Sequence, residues 1–140
     1  MAETTTPVSE LSEGECWKLL HSNEFGRLAL SVANQPEIFP INYAVQAGTL
    51  VFRTSQGTKL AALTINESVA LEIDGYDDTG GWSVVIKGQA HALEWGEDYN
   101  EAQVAGLRPW VATIKPVFVR VEPLYVSGRT FLFGPEPDDL

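Results

Sequence analysis

LVFRTSQGTKLAAL, residues 50–63, changes character in its middle. Among the first five residues, Val51, Phe52 and Thr54 are the β-branched and aromatic types that favour a pleated, half-buried strand. Ser55, Gln56 and Gly57 then break the run, and an apolar helical pattern starts near Thr58 or Lys59 and extends to about Asn66. Upstream, the Ala47-Gly48 turn joins this strand to IFPINYAV. Before that, Leu28, Leu30 and Val32 alternate with Arg27, Ala29 and Ser31 until Asn34-Gln35-Pro36 closes the segment. Downstream come VALEID, GWSVVIKGQAHAL, VFVRVEP and LYVSGRTF, punctuated by Gly, Pro, Asn or Asp. Seven short strands with hairpin-length joins predict a mainly β domain with small helices, built as an antiparallel barrel.

Two further helical pieces are predicted. Ser12-Glu13-Gly14-Glu15 has the spacing of a capping box, with Leu11 and Cys16 placed as a hydrophobic staple, so a helix of about three turns runs to about Ser22. Trp95, Tyr99, Ala102 and Val104 or Ala105 roughly share one face of a second. The expected organisation is a flexible N-terminus over residues 1–10, a single domain over 11–133 and an acidic tail over 134–140, where Pro135 and Pro137 oppose regular structure.

The whole chain has 140 residues, 44% apolar and 20% charged, which suits one globular domain with a real core. Nine Lys and Arg against nineteen Asp and Glu give a formal charge of −10, which repels a phosphate backbone and argues against nucleic acid. No apolar run approaches a bilayer-spanning length, so no membrane partner is expected. MAETTTPVSE lacks the pattern of a secretory signal and Cys16 has no internal partner, and both point to a cytoplasmic protein.

Arg53 and Lys59 place two of the nine basic residues within one short turn, among the hydroxyls of Thr54, Ser55 and Thr58. On the residues alone, two readings stay open. One is a solvated turn in which Thr58 caps a helix; the other is an anion seat, in which a guanidinium fork, an ammonium and a helix N-terminus converge. The spacing matches neither a Walker loop nor a dinucleotide-binding glycine pattern. Trp82 in GGWSVV, with Ser83 beside it, and Trp110 in LRPWVA, with Arg108 nearby, fit either ligand stacking or ordinary packing. Asn42 and Tyr43, just after Pro40, offer polar groups either to a ring edge or to solvent. His21 and His91 lack metal-ligand spacing, no serine sits in a nucleophile elbow, and Cys16 falls on the buried side of its helix. No metal is expected, and no residue stands out as catalytic.

Taken in order, FGRLAL, FPINYAV, LVFRTSQGTKLAAL, GWSVVIKGQA, LRPW and VSGRTF resemble the pyridoxamine 5′-phosphate oxidase-like family of split β-barrel flavin-binding proteins. The resemblance implies a split-barrel homodimer that binds flavin mononucleotide (FMN) at the subunit interface. It further implies that Arg53 and Lys59 clasp the flavin phosphate, with Thr54, Ser55 and Thr58 adding hydrogen bonds, and that Asn42 and Tyr43 run beside the flavin ring. Trp82 and Ser83 match a segment reaching the site across the dimer, and Arg108 and Trp110 are carried over with them. The implied activity is that of an FMN-dependent oxidoreductase passing hydride or electrons to a small molecule. The alternatives are a deazaflavin-dependent reductase or a non-catalytic flavin- or haem-binding module. The family's oxidases carry an Arg-x-His type motif near the C-terminus. Here the end reads VSGRTFLFGPEPDDL, without histidine, which argues against pyridoxamine phosphate as the substrate.

Overall fold

The computed structural model describes residues 6–55, 57, 61–63, 66–93, 105, 107 and 117–138. Its elements are β1 (Val8–Glu10), α1 (Glu13–Ser22), β2 (Phe25–Val32), β3 (Gln35–Gln46), β4 (Thr49–Thr54), β5 (Ser68–Tyr76), β6 (Gly80–Ala92) and β7 (Val117–Leu132). All strand pairings are antiparallel, in the order β1-β7-β4-β3-β2-β5-β6, and an additional β7–β6 pairing closes the ring. Val119, Arg120 and Val121 make the closure, since each is paired with β4 on one side and β6 on the other.

Period-two patterning decides which side chains fill this ring. Leu28 and Leu30 of β2, Ile41 and Tyr43 of β3, Leu50 and Phe52 of β4, and Leu71 and Ile73 of β5 all turn inward. Val84 and Ile86 of β6 complete the interior with Val119 and Val121. Two tight hairpins set the register. Ala33 and Asn34 both adopt positive φ between Val32 and Gln35, and Ala47 and Gly48 do so between Gln46 and Thr49. This is the two-residue geometry whose twist matches paired strands. Outside the ring, Val51 and Phe118 form a second apolar cluster with Leu93, Ala105 and Leu107.

The capping box is present as expected. The Glu15 amide donates to the Ser12 hydroxyl at 3.2 Å, and the Ser12 amide donates to the Glu15 carboxylate at 3.0 Å. Leu11 and Cys16 meet over Gly128, where an added Cβ would lie 2.7 Å from the Cys16 sulfur and 3.0 Å from Leu11 Cδ1. Burial pushes the Cys16 thiol pKa up, which favours the inert thiol.

Two expectations change. VFVRVEP and LYVSGRTF are not two strands but the single long β7; Pro123 does not end it, because it sits at a β-bulge where Gly88 makes room. Within the N-terminal segment expected to be flexible, Val8, Ser9 and Glu10 form a strand paired with Phe131, Thr130 and Arg129. Among the described residues the strand count of seven therefore holds with a different membership. Among the described residues, no helix is long and apolar enough to cross a membrane.

Ser12→Ala is expected to cost about 1 kcal/mol at neutral pH, the usual worth of an N-cap, read by thermal or urea melts. The hydrogen bond from the Ser12 amide lowers the Glu15 pKa, and those from Thr79 lower the Asp77 pKa. A depressed folded-state pKa contributes stability above the unfolded value and loses it as pH falls through the folded one. Glu15→Gln should therefore flatten part of the parent's acid-side loss of stability.

Candidate functional site

The alternation that fills the barrel also decides what stands outside it. In β4, Leu50, Phe52 and Thr54 turn inward and are buried, while Arg53 turns out and is exposed. In β3, Ile41 and Tyr43 turn inward, leaving Asn42 on the outer side. Tyr43 and Phe52 are the last registered pair of the β3–β4 ladder, and Asn42 and Arg53 follow one residue beyond it on the two adjacent strands. Phe25 lies opposite Asn42 on one flank and Phe118 opposite Arg53 on the other. An outward row of Phe25, Asn42, Arg53 and Phe118 thus runs across four strands.

Two features distinguish this row. The Arg53 guanidinium carbon stands 5.1 Å from the centre of the Phe118 ring, a cation–π contact that steadies a long side chain at the surface. The Asn42 amide nitrogen Nδ2 is buried with no hydrogen-bond partner. An unpaired buried donor costs about 1–3 kcal/mol, so the fold keeps a polar group here at a loss unless something supplies an acceptor.

The other expected site residues are placed unequally. Thr54 is buried and its hydroxyl donates to the Ser55 carbonyl at 3.3 Å, whereas Ser55 is exposed. Beyond them, the Ala61 amide donates to the Gly57 carbonyl and the Asn66 amide to Ala62, the spacing of helical turns. Thr58, Lys59, Arg108 and Trp110 lie outside the described residues, as does most of the helix expected around Trp95.

Tyr43 belongs to the core: it is 2% exposed, its hydroxyl donates to the Leu20 carbonyl at 2.8 Å, and burial pushes its pKa up. It ties β3 to the end of α1 and offers nothing to the outer row.

Trp82 follows the inward alternation of Val84 and Ile86 and lies against Gly75 at the edge of the core. Ser83 faces out between Asp74 and Arg129. Three strand spacings separate Ser83 from Asn42 around the ring, about 14 Å, so one chain does not bring them together.

Charge near the row is largely engaged. Arg27 bridges Glu72 at 3.0 Å and Asp74 at 3.3 Å. Burial and the neighbouring Asp74 raise the Glu72 pKa despite that pairing. Arg120, 8% exposed, donates to Thr49 Oγ1 at 2.7 Å and Gln46 Oε1 at 3.2 Å, which clamps the β3–β4 turn. Among the described residues, no group of three or more His, Cys, Asp or Glu is arranged to hold a metal ion.

Sequence reasoning missed Phe118 and Phe25 as members of the site. Strand alternation placed each on one side of its own strand, but only the β2–β3 and β4–β7 pairings show that they flank Asn42 and Arg53.

Comparison with known proteins places this arrangement among relatives. A family model described as pyridoxamine 5′-phosphate oxidase matches residues 12–130. An uncharacterised protein of Mycobacterium tuberculosis is 45% identical over 94 residues, covering 67% of this chain and 86% of that one. A solved structure from Corynebacterium glutamicum, provisionally named a pyridoxamine 5′-phosphate oxidase, is 33% identical with a TM-score of 0.85 and covers 96% of this chain and 100% of its own. A structure named as the FAD-binding protein of Mycobacterium smegmatis is 43% identical with a TM-score of 0.79, covering 89% and 99%.

Proposed function

Because the chain belongs to the pyridoxamine 5′-phosphate oxidase family, we propose that it binds a flavin nucleotide on the outward β3–β4 row and works as a flavin-dependent oxidoreductase. The observation that carries this reading is the buried, unpaired Nδ2 of Asn42 beside the exposed Arg53. A flavin offers acceptors to both: its ring has carbonyl oxygens and ring nitrogens that accept from Asn42, and its phosphate accepts from a guanidinium. Thr58 and Lys59 join Arg53 at the phosphate by family likeness. The flavin itself carries the hydride or electron chemistry, and the protein's share is to hold and orient it. Arg53, steadied on Phe118, fixes the phosphate end; Asn42 fixes the ring edge; the apolar outer cluster of Val51 and Phe118 keeps water from beneath.

FMN is the first reading, since one phosphate satisfies one cationic seat. FAD is the second, favoured by the name of the Mycobacterium smegmatis relative at 43% identity. The absorption spectrum of the purified protein, followed by titration with riboflavin, FMN and FAD, tests both. Charge-assisted contacts of about 1.5–3 kcal/mol predict that the nucleotide binds at least about 10-fold more tightly than riboflavin. Equal affinity for riboflavin and both nucleotides would remove the phosphate seat. Failure of a nicotinamide donor, or of any small-molecule donor tried, to reduce the bound flavin would count for a non-catalytic flavin carrier instead.

A further inference from the structure

We propose that the cleft between α1 and β7 binds an organic ammonium cation, with Trp17 and Tyr125 as its aromatic walls and Glu13 as the counter-charge. The cleft follows from how β7 is paired. The β6 ladder occupies one side of β7 from Val119 to Leu132. On the other side β4 takes Val117 to Val121 and β1 takes Arg129 to Phe131, and among the described residues no strand pairs there in between.

α1 lies over that gap. The Leu11 amide, just ahead of the helix, donates to the Gly128 carbonyl at 2.9 Å, and Cys16 and Leu20 turn into the core. Glu13 and Trp17 sit one turn apart on a neighbouring face, and with Leu124, Tyr125 and Val126 they line a cleft of about 660 Å³. That is within the range of small-ligand sites. The bulge shapes the β7 wall: Leu124 has no partner on β6, which breaks the alternation and leaves both Leu124 and Tyr125 exposed. At the β3–β4 turn, Gly48 has nothing within 4 Å of where a Cβ would stand, so this border of the cleft is open.

Charge selects the ligand. Among the described residues lining the cleft, Glu13 supplies the only charge, and it forms no ion pair with a described residue. Arg120, which clamps the β3–β4 turn, is engaged by Thr49 and Gln46 and does not line the cleft. An anion would meet a bare carboxylate in a chain of formal charge −10. A neutral apolar ligand would cover that carboxylate without pairing it, which costs free energy. A cation with apolar substituents suits every wall: the carboxylate and the electron-rich rings of Trp17 and Tyr125 attract its charge, and Leu124 and Val126 take its carbon skeleton. The cleft borders the end of β4 opposite to Arg53, and its ligand does not depend on any flavin.

Titration with choline and with its neutral carbon isostere dimethylbutanol, at physiological ionic strength and without added flavin, tests the proposal. Choline is expected to bind with a dissociation constant of about 1 mM or below, at least about 10-fold more tightly than the isostere. Glu13→Gln should weaken choline at least about 5-fold and leave the isostere unchanged. Glu37→Gln removes the same charge on β3, outside the cleft lining, and should leave choline affinity within about 2-fold, because salt screens a distant exposed charge.

The indole N–H resonances give a second readout. The chain has four tryptophans, and choline should shift the one signal that is missing from the Trp17→Phe spectrum. Trp17→Phe keeps a weaker aromatic face, so choline affinity should fall only about 3-fold, whereas Trp17→Leu, with no such face, should lose at least about 10-fold. Far-UV circular dichroism of the variants should match the parent. Equal affinity for choline and the isostere, no saturable choline binding, a loss in Glu37→Gln as large as in Glu13→Gln, or a shift confined to the other indoles would overturn the proposal.

Discussion

Gly88→Ala should melt about 10 °C below the parent, the equivalent of about 3 kcal/mol for a chain of this size. A Cβ at Gly88 falls on the carbonyl oxygen of Glu122 and presses on the Pro123 Cα, and all of these contacts are backbone. No side chain is there to swing aside, so the β6–β7 ladder itself must move. That ladder is the longest in the ring, and just beyond the bulge Val119, Arg120 and Val121 carry the closure between β4 and β6. Strain at Gly88 is therefore passed directly into the pairing that makes the barrel a barrel. Gly14→Ala provides the contrast: it lies in the first turn of α1 with nothing within 4 Å of the new carbon, and should stabilise by about 0.5–1 kcal/mol through reduced backbone freedom. Thermal melts of the two variants measure both. A Gly88→Ala protein melting within about 2 °C of the parent would show that the bulge has room the geometry denies, since 2 °C is under about 1 kcal/mol here.

The same bulge marks where the sequence stops being legible. Alternation in LVFRT, FPINYAV and GWSVVIKGQA specifies which residues enter the ring, and the structure agrees at Leu50, Phe52, Ile41, Val84 and Ile86. The capping box was readable because its two hydrogen bonds join residues three apart. Pro123 misled because a proline inside an apparent strand ordinarily argues for its end. The compensating fact, a glycine opposite it on another strand, lies 35 positions away and becomes visible only through pairing. Val8–Glu10 escaped for a related reason: three exposed residues have no period to read, and their partner strand lies at the other end of the chain.

At the candidate site, the limit of reading is again strand facing. Asn42 and Tyr43 are adjacent in sequence and were named together, yet a pleated strand must send neighbours to opposite sides, and the barrel takes the tyrosine. Arg53 was conspicuous as a cation in an acidic chain, but Phe118 beneath it required the β4–β7 register. Arg120, in contrast, is buried on the neutral oxygens of Thr49 and Gln46. Opposite electrostatic roles are thus assigned to two arginines by which end of β4 each side chain reaches.

Asn42→Leu and Arg53→Ala should separate the two ends of the bound flavin, and for Asn42 the expected signs are opposed. Without ligand, Asn42 keeps a buried donor unpaired, so a leucine of similar size, well suited to a strand, should raise the melting point by about 1 kcal/mol of stability. The same change removes the group that meets the ring edge, so affinity for riboflavin and FMN should fall together, each by about 10-fold for one hydrogen bond of this kind. Arg53 is exposed and steadied by a ring rather than enclosed, so its truncation should leave stability within about 0.5 kcal/mol. Its effect should fall on the phosphate alone: FMN affinity drops about 10- to 100-fold while riboflavin affinity holds, which erases the preference between them. Fluorescence-quenching titrations of both variants with both ligands, beside their melting curves, give four independent responses. An Asn42→Leu protein that melts lower than the parent and binds both ligands as before would mean the unpaired amide serves the fold rather than a ligand. A preference for FMN that persists in Arg53→Ala would move the phosphate away from β4 altogether.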